Sequence, residues 1–111
     1  MVHEECKYYE EIGYERLEKA ITMVGGKWKL RILYFVACFE VIRYSELWRA
    51  LGSVTHHMLS RQLKEMEKDG LLVRKEYPQV PPKVEYSLSQ KGWDLLPVFD
   101  VLRDWIVKYI D

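Results

Sequence analysis

The sequence predicts a mainly α-helical domain that carries one small β-hairpin and closes with a further long helix. Three observations support this fold class. Residues 14–70 contain segments of helical length with apolar residues at helical spacing. Residues 71–88 alternate in the manner of strands around a proline-rich interruption. Residues 89–110 return to helical spacing, and the length of 111 residues, with 49% hydrophobic and 31% charged residues, is that of one folded domain, 1–111.

The first two predicted helices lie on either side of a glycine pair. Residues 14–24 place apolar side chains at helical spacing, and Gly25-Gly26 ends this helix. Residues 27–39 are apolar around most of the helical circumference. We therefore expect the second helix to be the central buried one.

Residues 44–70 predict two helices joined by a tight turn. A short helix covers residues 44–51, and residues 52–55 connect it to a longer helix with Thr55 as its N-cap and Gly70 as its stop. The apolar stripe of the longer helix is Met58, Leu59, Leu63 and Met66. The opposite stripe is His57, Arg61, Lys64 and Lys68. Two helices joined by a short turn that contains glycine form the helix-turn-helix pattern.

The segment after Gly70 predicts a β-hairpin. Residues 71–77 and 83–88 alternate as strands, and residues 78–82 contain three prolines that stiffen the connection. Residues 41–43 add a short β-like piece before the helix-turn-helix. Helix, helix, helix, strand, loop and strand in this order predict a winged helix-turn-helix, with residues 71–88 as the wing.

The last segment predicts a helix that is too apolar for one core contact. It starts at Ser89 as a candidate N-cap, and Pro97 should kink it or remove one backbone hydrogen bond. Its apolar surface suggests burial against a second copy of the chain. The alternative is that it wraps the core of its own chain.

The charge is unevenly distributed although the formal net charge is zero. Residues 43–83 hold eight cations against five anions, whereas residues 1–19 hold three against six and residues 84–111 hold three against five. The excess of positive charge lies around the helix-turn-helix, as expected for a nucleic-acid surface. An excess of three charges is also compatible with an ordinary mixed surface.

Other classes of protein lack support in the sequence. Two cysteines make no disulfide framework, and no Cys/His cluster has zinc-ligand spacing. No catalytic arrangement or phosphate-binding glycine loop is recognisable, so we expect neither an enzyme nor a cofactor. The acidic start without an apolar stretch argues against a signal peptide, and we expect a cytoplasmic protein with no membrane span.

Several motifs together resemble the HxlR-type transcriptional regulators. Residues 25–34 resemble their Gly-Gly-Lys-Trp-x-x-x-Ile-Leu signature, and residues 43–47 their Arg-Phe-Ser-Glu-Leu. Residues 55–71 resemble their recognition helix, residues 77–88 their wing, and residues 90–98 the start of their C-terminal helix. The resemblance implies a homodimeric winged helix-turn-helix protein that binds double-stranded DNA and controls transcription. It also implies that helices 14–24 and 89–110 form the dimer interface.

The chain departs from this family at two positions. Relatives commonly carry a Cys-Pro pair ten residues before the Gly-Gly motif, and in some members that thiol senses oxidants; here the position is Glu15. A thiol switch by that route is therefore not expected, and Cys38 is expected to be inert packing. The second departure is His57, where relatives often carry a fixed cation. It is either a side chain whose protonation strengthens DNA binding or an ordinary surface histidine.

The candidate DNA-binding residues divide into readers and positioners. We expect base contacts from the first half of the recognition helix, with Arg61 as a bidentate partner of guanine. We expect phosphate contacts from Lys64, from the hydroxyl of Ser45 near a helix start, and from the wing. The full set is Ser45, Thr55, His56, His57, Ser60, Arg61, Lys64, Lys75 and Lys83.

Two alternatives stay open at this point. A winged helix can act as a protein–protein interaction module without specific DNA binding. A small-molecule effector could also bind an aromatic pocket near the dimer seam, formed by Trp28, Trp93 or Trp105, although these side chains are equally compatible with a core role.

Overall fold

The computed structural model describes residues 6–111 in seven helices and three strands. The helices are α1 (Lys7–Glu11), α2 (Tyr14–Val24), α3 (Lys29–Phe39), α4 (Tyr44–Leu51), α5 (His56–Lys68), α6 (Gln90–Leu95) and α7 (Pro97–Tyr109). The strands are β1 (Val41–Arg43), β2 (Leu72–Tyr77) and β3 (Lys83–Leu88). The predicted order of elements is confirmed from α2 onwards.

The three strands form one antiparallel sheet in the order β1-β3-β2. Leu72 pairs with Leu88 and Tyr77 with Lys83, so β2 and β3 are the predicted hairpin. Val41 pairs with Ser87, which places β1 on the other edge of β3. Since side chains alternate along a strand, one sheet face carries Leu72, Leu88 and the side chains in step with them, and the other face carries the side chains between them.

The core lies between this sheet and helices α3, α4 and α5. It collects one face of each element, and its fully buried side chains are Ile32, Leu33, Val36, Ile42, Leu47, Leu59, Leu63 and Met66. The helix-turn-helix is therefore a rigid part of the fold, with the apolar stripe of α5 turned inward and its polar stripe left outside.

The ends of α5 are fixed by local chemistry. The Thr55 hydroxyl accepts a hydrogen bond from the Met58 amide at 3.1 Å, which satisfies one free N–H group of the first turn. At the other end, the amide of Leu71 donates to Met66 O, and Gly70 adopts a φ of 78°. Glycine tolerates this left-handed conformation without steric cost, so the chain leaves α5 in a Schellman turn.

Two expectations for the helices need refinement. Pro97 divides the last helix: α6 ends at Leu95, and Pro97 occupies the first turn of α7, where its missing N–H is harmless. The expectation that α3 is the central buried helix is confirmed for one side of the helix. On that side Ile32, Leu33 and Val36 are fully buried, whereas Tyr34 and Phe39 elsewhere on the helix are about half exposed.

The terminal helices leave the core and expose apolar side chains. Among residues 14–24 and 97–109, no side chain is buried. The Cα radius of gyration is 16.5 Å, against about 13 Å for a compact domain of this length. Within the described residues, none of the helices combines the length and hydropathy that crossing a bilayer requires.

Candidate nucleic-acid interface

The polar stripe of α5 is open to solvent along its length. His57, Arg61, Lys64 and Lys68 are exposed on the side opposite the buried Leu59, Leu63 and Met66. A helix of this kind fits the major groove of B-DNA, which is about 12 Å wide. The structure therefore brings three of the predicted DNA-binding residues, His57, Arg61 and Lys64, onto one accessible face.

Arg61 forms an ion pair with Glu65, which lies one helical turn further along α5. Its Nε lies 3.5 Å from Glu65 Oε1, while Glu65 Oε2 lies 2.9 Å from Lys29 Nζ. The hydrogen bond from Lys29 lowers the pKa of Glu65, with a smaller lowering from Arg61, so Glu65 is a carboxylate at neutral pH. The guanidinium remains well exposed and can present its outer N–H groups to a base.

His56 has a different environment from His57. Its imidazole is stacked on the indole of Trp48, with ring centroids 4.4 Å apart, and its Nδ1 lies 2.9 Å from the Tyr44 hydroxyl. Trp48 in turn donates from Nε1 to Val54 O at 3.0 Å, inside the turn between the two helices. His56 thus links α4 to α5 and keeps only Nε2 available for an outside partner.

Between α5 and the wing runs a groove of about 470 Å³. Ser60 and Lys64 line it from α5, and Arg74 and Tyr86 line it from the sheet. Hydrogen bonding with the Tyr86 hydroxyl raises the pKa of Arg74, and burial raises the pKa of Tyr86. Glu67 also lines the groove, so this concave surface beside the exposed stripe of α5 carries two cations and one carboxylate.

Arg74 is not among the sequence-predicted DNA-binding residues. Its guanidinium forms a surface ion pair with Glu76 at 3.3 Å. Strand alternation nevertheless places Arg74 on the sheet face that is turned toward α5, so the same side chain also lines the groove. The period-two pattern of residues 71–77 was the signal that could have identified it.

Lys75 and Lys83 lie on the opposite face of the wing. Their ammonium groups are 4.9 Å and 4.6 Å from the ring centroid of Tyr77. Glu85 lies beside them, with Lys83 at 3.7 Å, and its pKa is lowered first by the Tyr77 hydroxyl and then by the nearby cations. The structure thus does not bring these two lysines together with the exposed stripe of α5.

The two remaining predicted residues lie at helix starts. Thr55 uses its hydroxyl as the cap of α5, and Ser45 is exposed in the first turn of α4, where it lines a depression beside Pro81 and Lys83. Ser45 therefore connects the helix-turn-helix with the tip of the wing. Trp28 lines a cleft beside Arg61, whereas Trp93 and Trp105 are partly exposed on α6 and α7.

The family model for HxlR-like helix-turn-helix proteins matches residues 23–111, which include every element described above from α3 onwards. The chain belongs to this family. Similar proteins include a helix-turn-helix transcriptional regulator of Halalkalibacterium halodurans, 54% identical over 88 residues that cover 79% of this chain and 78% of the relative. The regulatory protein MalR of Fusobacterium mortiferum is 47% identical, with 80% and 84% covered. The HxlR-like protein is accordingly a DNA-binding transcriptional regulator, and its relatives are regulators rather than enzymes.

Solved structures agree with this assignment. A MarR-family regulator of Porphyromonas gingivalis W83 superposes with a TM-score of 0.77 at 33% identity and covers 99% of this chain and 98% of its own. The redox regulator HypR in its oxidised form gives 0.76 at 39% identity, with 86% and 97% covered. The winged helix-turn-helix fold expected from the sequence is therefore confirmed.

The cysteines of the HxlR-like protein are free thiols in different surroundings. Cys6 is partly buried before α1, and Cys38 is exposed near the end of α3. The expectation of Cys38 as inert packing was wrong for the single chain, because its position on α3 faces away from the core. Within residues 6–111, no three His, Cys, Asp or Glu side chains gather as metal ligands.

Proposed function

We propose that the HxlR-like protein acts as a homodimer on a palindromic operator. In this arrangement α5 of each copy enters the major groove, and the wing approaches the flanking backbone or minor groove. The observation that carries the proposal is the exposed stripe of α5 with His57, Arg61 and Lys64, which no other element of residues 6–111 covers. Arg61 is its principal base reader, since a guanidinium can bind guanine O6 and N7 together.

The second copy is supported by the exposed apolar faces of α2 and α7. Tyr14, Leu17 and Ile21 are each between 44% and 62% exposed on α2, and Leu102 and Trp105 are 42% and 54% exposed on α7. Contiguous apolar surface of this kind is uncommon on a monomer and is typical of an interface. A symmetric pair would present two α5 helices to two half-sites.

The groove between α5 and the wing supports a path for the phosphate backbone. Lys64 and Arg74 border it from the two sides, and each could neutralise a phosphate. Ser45 on α4 and Lys83 on the wing line the depression beside the wing tip, where they could contact the backbone or minor groove further along. These contacts would position the protein, whereas α5 would read the bases.

Selection of bound sequences from random DNA by the purified full chain tests the proposal. We expect enrichment of an inverted repeat whose half-site centres lie about 10 base pairs apart, because two-fold symmetry of the protein is mirrored in the site. Binding to that repeat should weaken steeply with added salt. Failure to enrich any sequence, together with salt-independent binding, would favour the protein–protein interaction module instead.

A further inference from the structure

Lys29 is a buried cation that joins three helices. The residue lies at the start of α3 and is only 6% exposed to solvent. Its ammonium donates to Thr22 O in the last turn of α2 at 3.1 Å and pairs with Glu65 Oε2 on α5 at 2.9 Å. A buried charge is costly to desolvate unless it is paired and hydrogen-bonded, so Lys29 depends on Glu65.

Glu65 connects this buried cation to the surface reader. Its second oxygen lies 3.5 Å from Arg61 Nε, one helical turn earlier on α5. Since Lys29 already neutralises the carboxylate, Glu65 can hold Arg61 without cancelling the positive charge that Arg61 presents. The two cations and one carboxylate of Lys29, Arg61 and Glu65 have a net charge of +1. The exposed member of the three is Arg61.

We propose that Glu65, fixed by Lys29, is a specificity-determining positioning residue for Arg61. It restrains the guanidinium through Nε and leaves the exposed terminal nitrogens available for a guanine edge. An unrestrained arginine would bind any nearby phosphate as readily. The proposal deepens the proposed function and rests on it, because Arg61 must be a base reader for the restraint to matter.

Two substitutions are expected to act in opposite directions on DNA affinity. Glu65→Gln releases Arg61 and should raise affinity for non-operator DNA about fivefold at 0.15 M salt, the effect of one added phosphate contact. Operator affinity should change by less than about twofold, so the specificity ratio falls. Lys29→Met leaves the Glu65 charge unneutralised beside the DNA and should weaken binding to operator and non-operator DNA alike by several fold.

Titrations of the full-length protein with the selected operator, and with random DNA of equal length, measure both effects. Glu67→Gln is the matched control, because it removes the same charge from α5 on the side that faces the wing. It should raise both affinities together and leave the ratio unchanged. An unchanged ratio in Glu65→Gln, or a fall equal to that of the control, would overturn the proposal.

Loss of fold is separated from loss of restraint by a double variant. Glu65→Gln leaves Lys29 buried without its counter-ion and could lower stability, whereas Lys29→Met combined with Glu65→Gln removes both charges. The double variant should show the same relaxed ratio as Glu65→Gln, and retention of the wild-type ratio would contradict the role of Glu65. If wild-type protein shows no salt-dependent DNA binding at all, the proposed function itself fails.

Discussion

At the scale of single residues, the cations of the DNA-facing region fall into two groups with different neighbours. Arg61 and Arg74 each pair with one carboxylate and face solvent next to α5 or its groove. Lys75 and Lys83 surround the Tyr77 ring on the outer face of the wing, with Glu85 between them. Since a strand turns successive side chains to opposite faces, Arg74 lies on one face of the wing and the two lysines lie on the other. The two sets of cations therefore cannot contact DNA from the same face of the wing.

Arg61→Ala is predicted to weaken operator binding by about 1–3 kcal/mol and to relax base preference at one position in each half-site. The physical reason is the loss of a bidentate contact to one base. Titration against operators with single base changes measures the effect.

Lys19→Ala is the control for Arg61→Ala, because Lys19 is an exposed cation on the polar side of α2. It should leave base preference unchanged. An equal loss of affinity on every sequence for Arg61→Ala would exclude its role as a base reader.

Lys83→Ala is predicted to weaken binding to all sequences alike and to lower the salt dependence by about one unit per half-site, as expected for a lost phosphate contact. Arg74→Ala, from the other face of the wing, provides the comparison. Measurement of affinity against salt concentration for both variants decides which face approaches the backbone. If only Arg74→Ala flattens the slope, Lys83 is not a DNA contact.

At the scale of elements, α6 is held against the start of the hairpin by close backbone packing. Ser89 caps α6 by accepting from the Gly92 amide, and its hydroxyl also donates to Gly70 O at 2.5 Å, with Leu71 O at 3.1 Å. A Cβ atom added at Gly92 would lie 2.5 Å from Leu71 O and 3.3 Å from Leu88. The glycine therefore sets how closely α6 approaches the sheet.

Gly92→Ala is predicted to lower the free energy of unfolding by about 1–3 kcal/mol, because the added methyl group must displace α6 from the backbone of Leu71. Denaturant unfolding measures the loss. Gln90→Ala, at an exposed position of the same helix, should cost much less. A Gly92→Ala variant as stable as the wild type would contradict the close approach.

At the scale of the whole molecule, a packed core of α3, α4, α5 and the sheet lies between terminal helices that expose apolar side chains. α1 and α2 precede the core, α7 follows it, and all three expose aromatic or aliphatic side chains. Under the proposed dimer, these helices set the separation of the two α5 helices. The geometry of the interface would then determine which operator spacing is recognised.

Trp105→Glu is predicted to convert the dimer to a monomer and to reduce operator affinity at least tenfold, because it places a charge in the proposed interface. Light scattering with size-exclusion chromatography measures the mass, and the melting temperature should lose its dependence on protein concentration. Val107→Glu, on the opposite side of α7, is the control and should remain dimeric. Equal disruption by both variants would refute the proposed face of α7.

Much of this molecule follows from the sequence alone. Helical spacing, strand alternation and the caps Thr55, Gly70 and Ser89 specify the elements, because each depends on residues within a few positions of one another. The same local rules separate the buried stripe of α5 from its exposed stripe. Pro97 likewise predicts the break before α7, because proline has no backbone N–H with which to continue a helix.

The tertiary structure decided which distant residues meet. Lys29 and Glu65 are far apart in the chain, and no periodicity relates them, so their pairing depends on how α3 packs against α5. Packing also made His56 a partner of Trp48 and Tyr44 and left Cys38 exposed. Sequence patterns are local, whereas the charge and hydrogen-bonding environment of a side chain depends on every element packed around it.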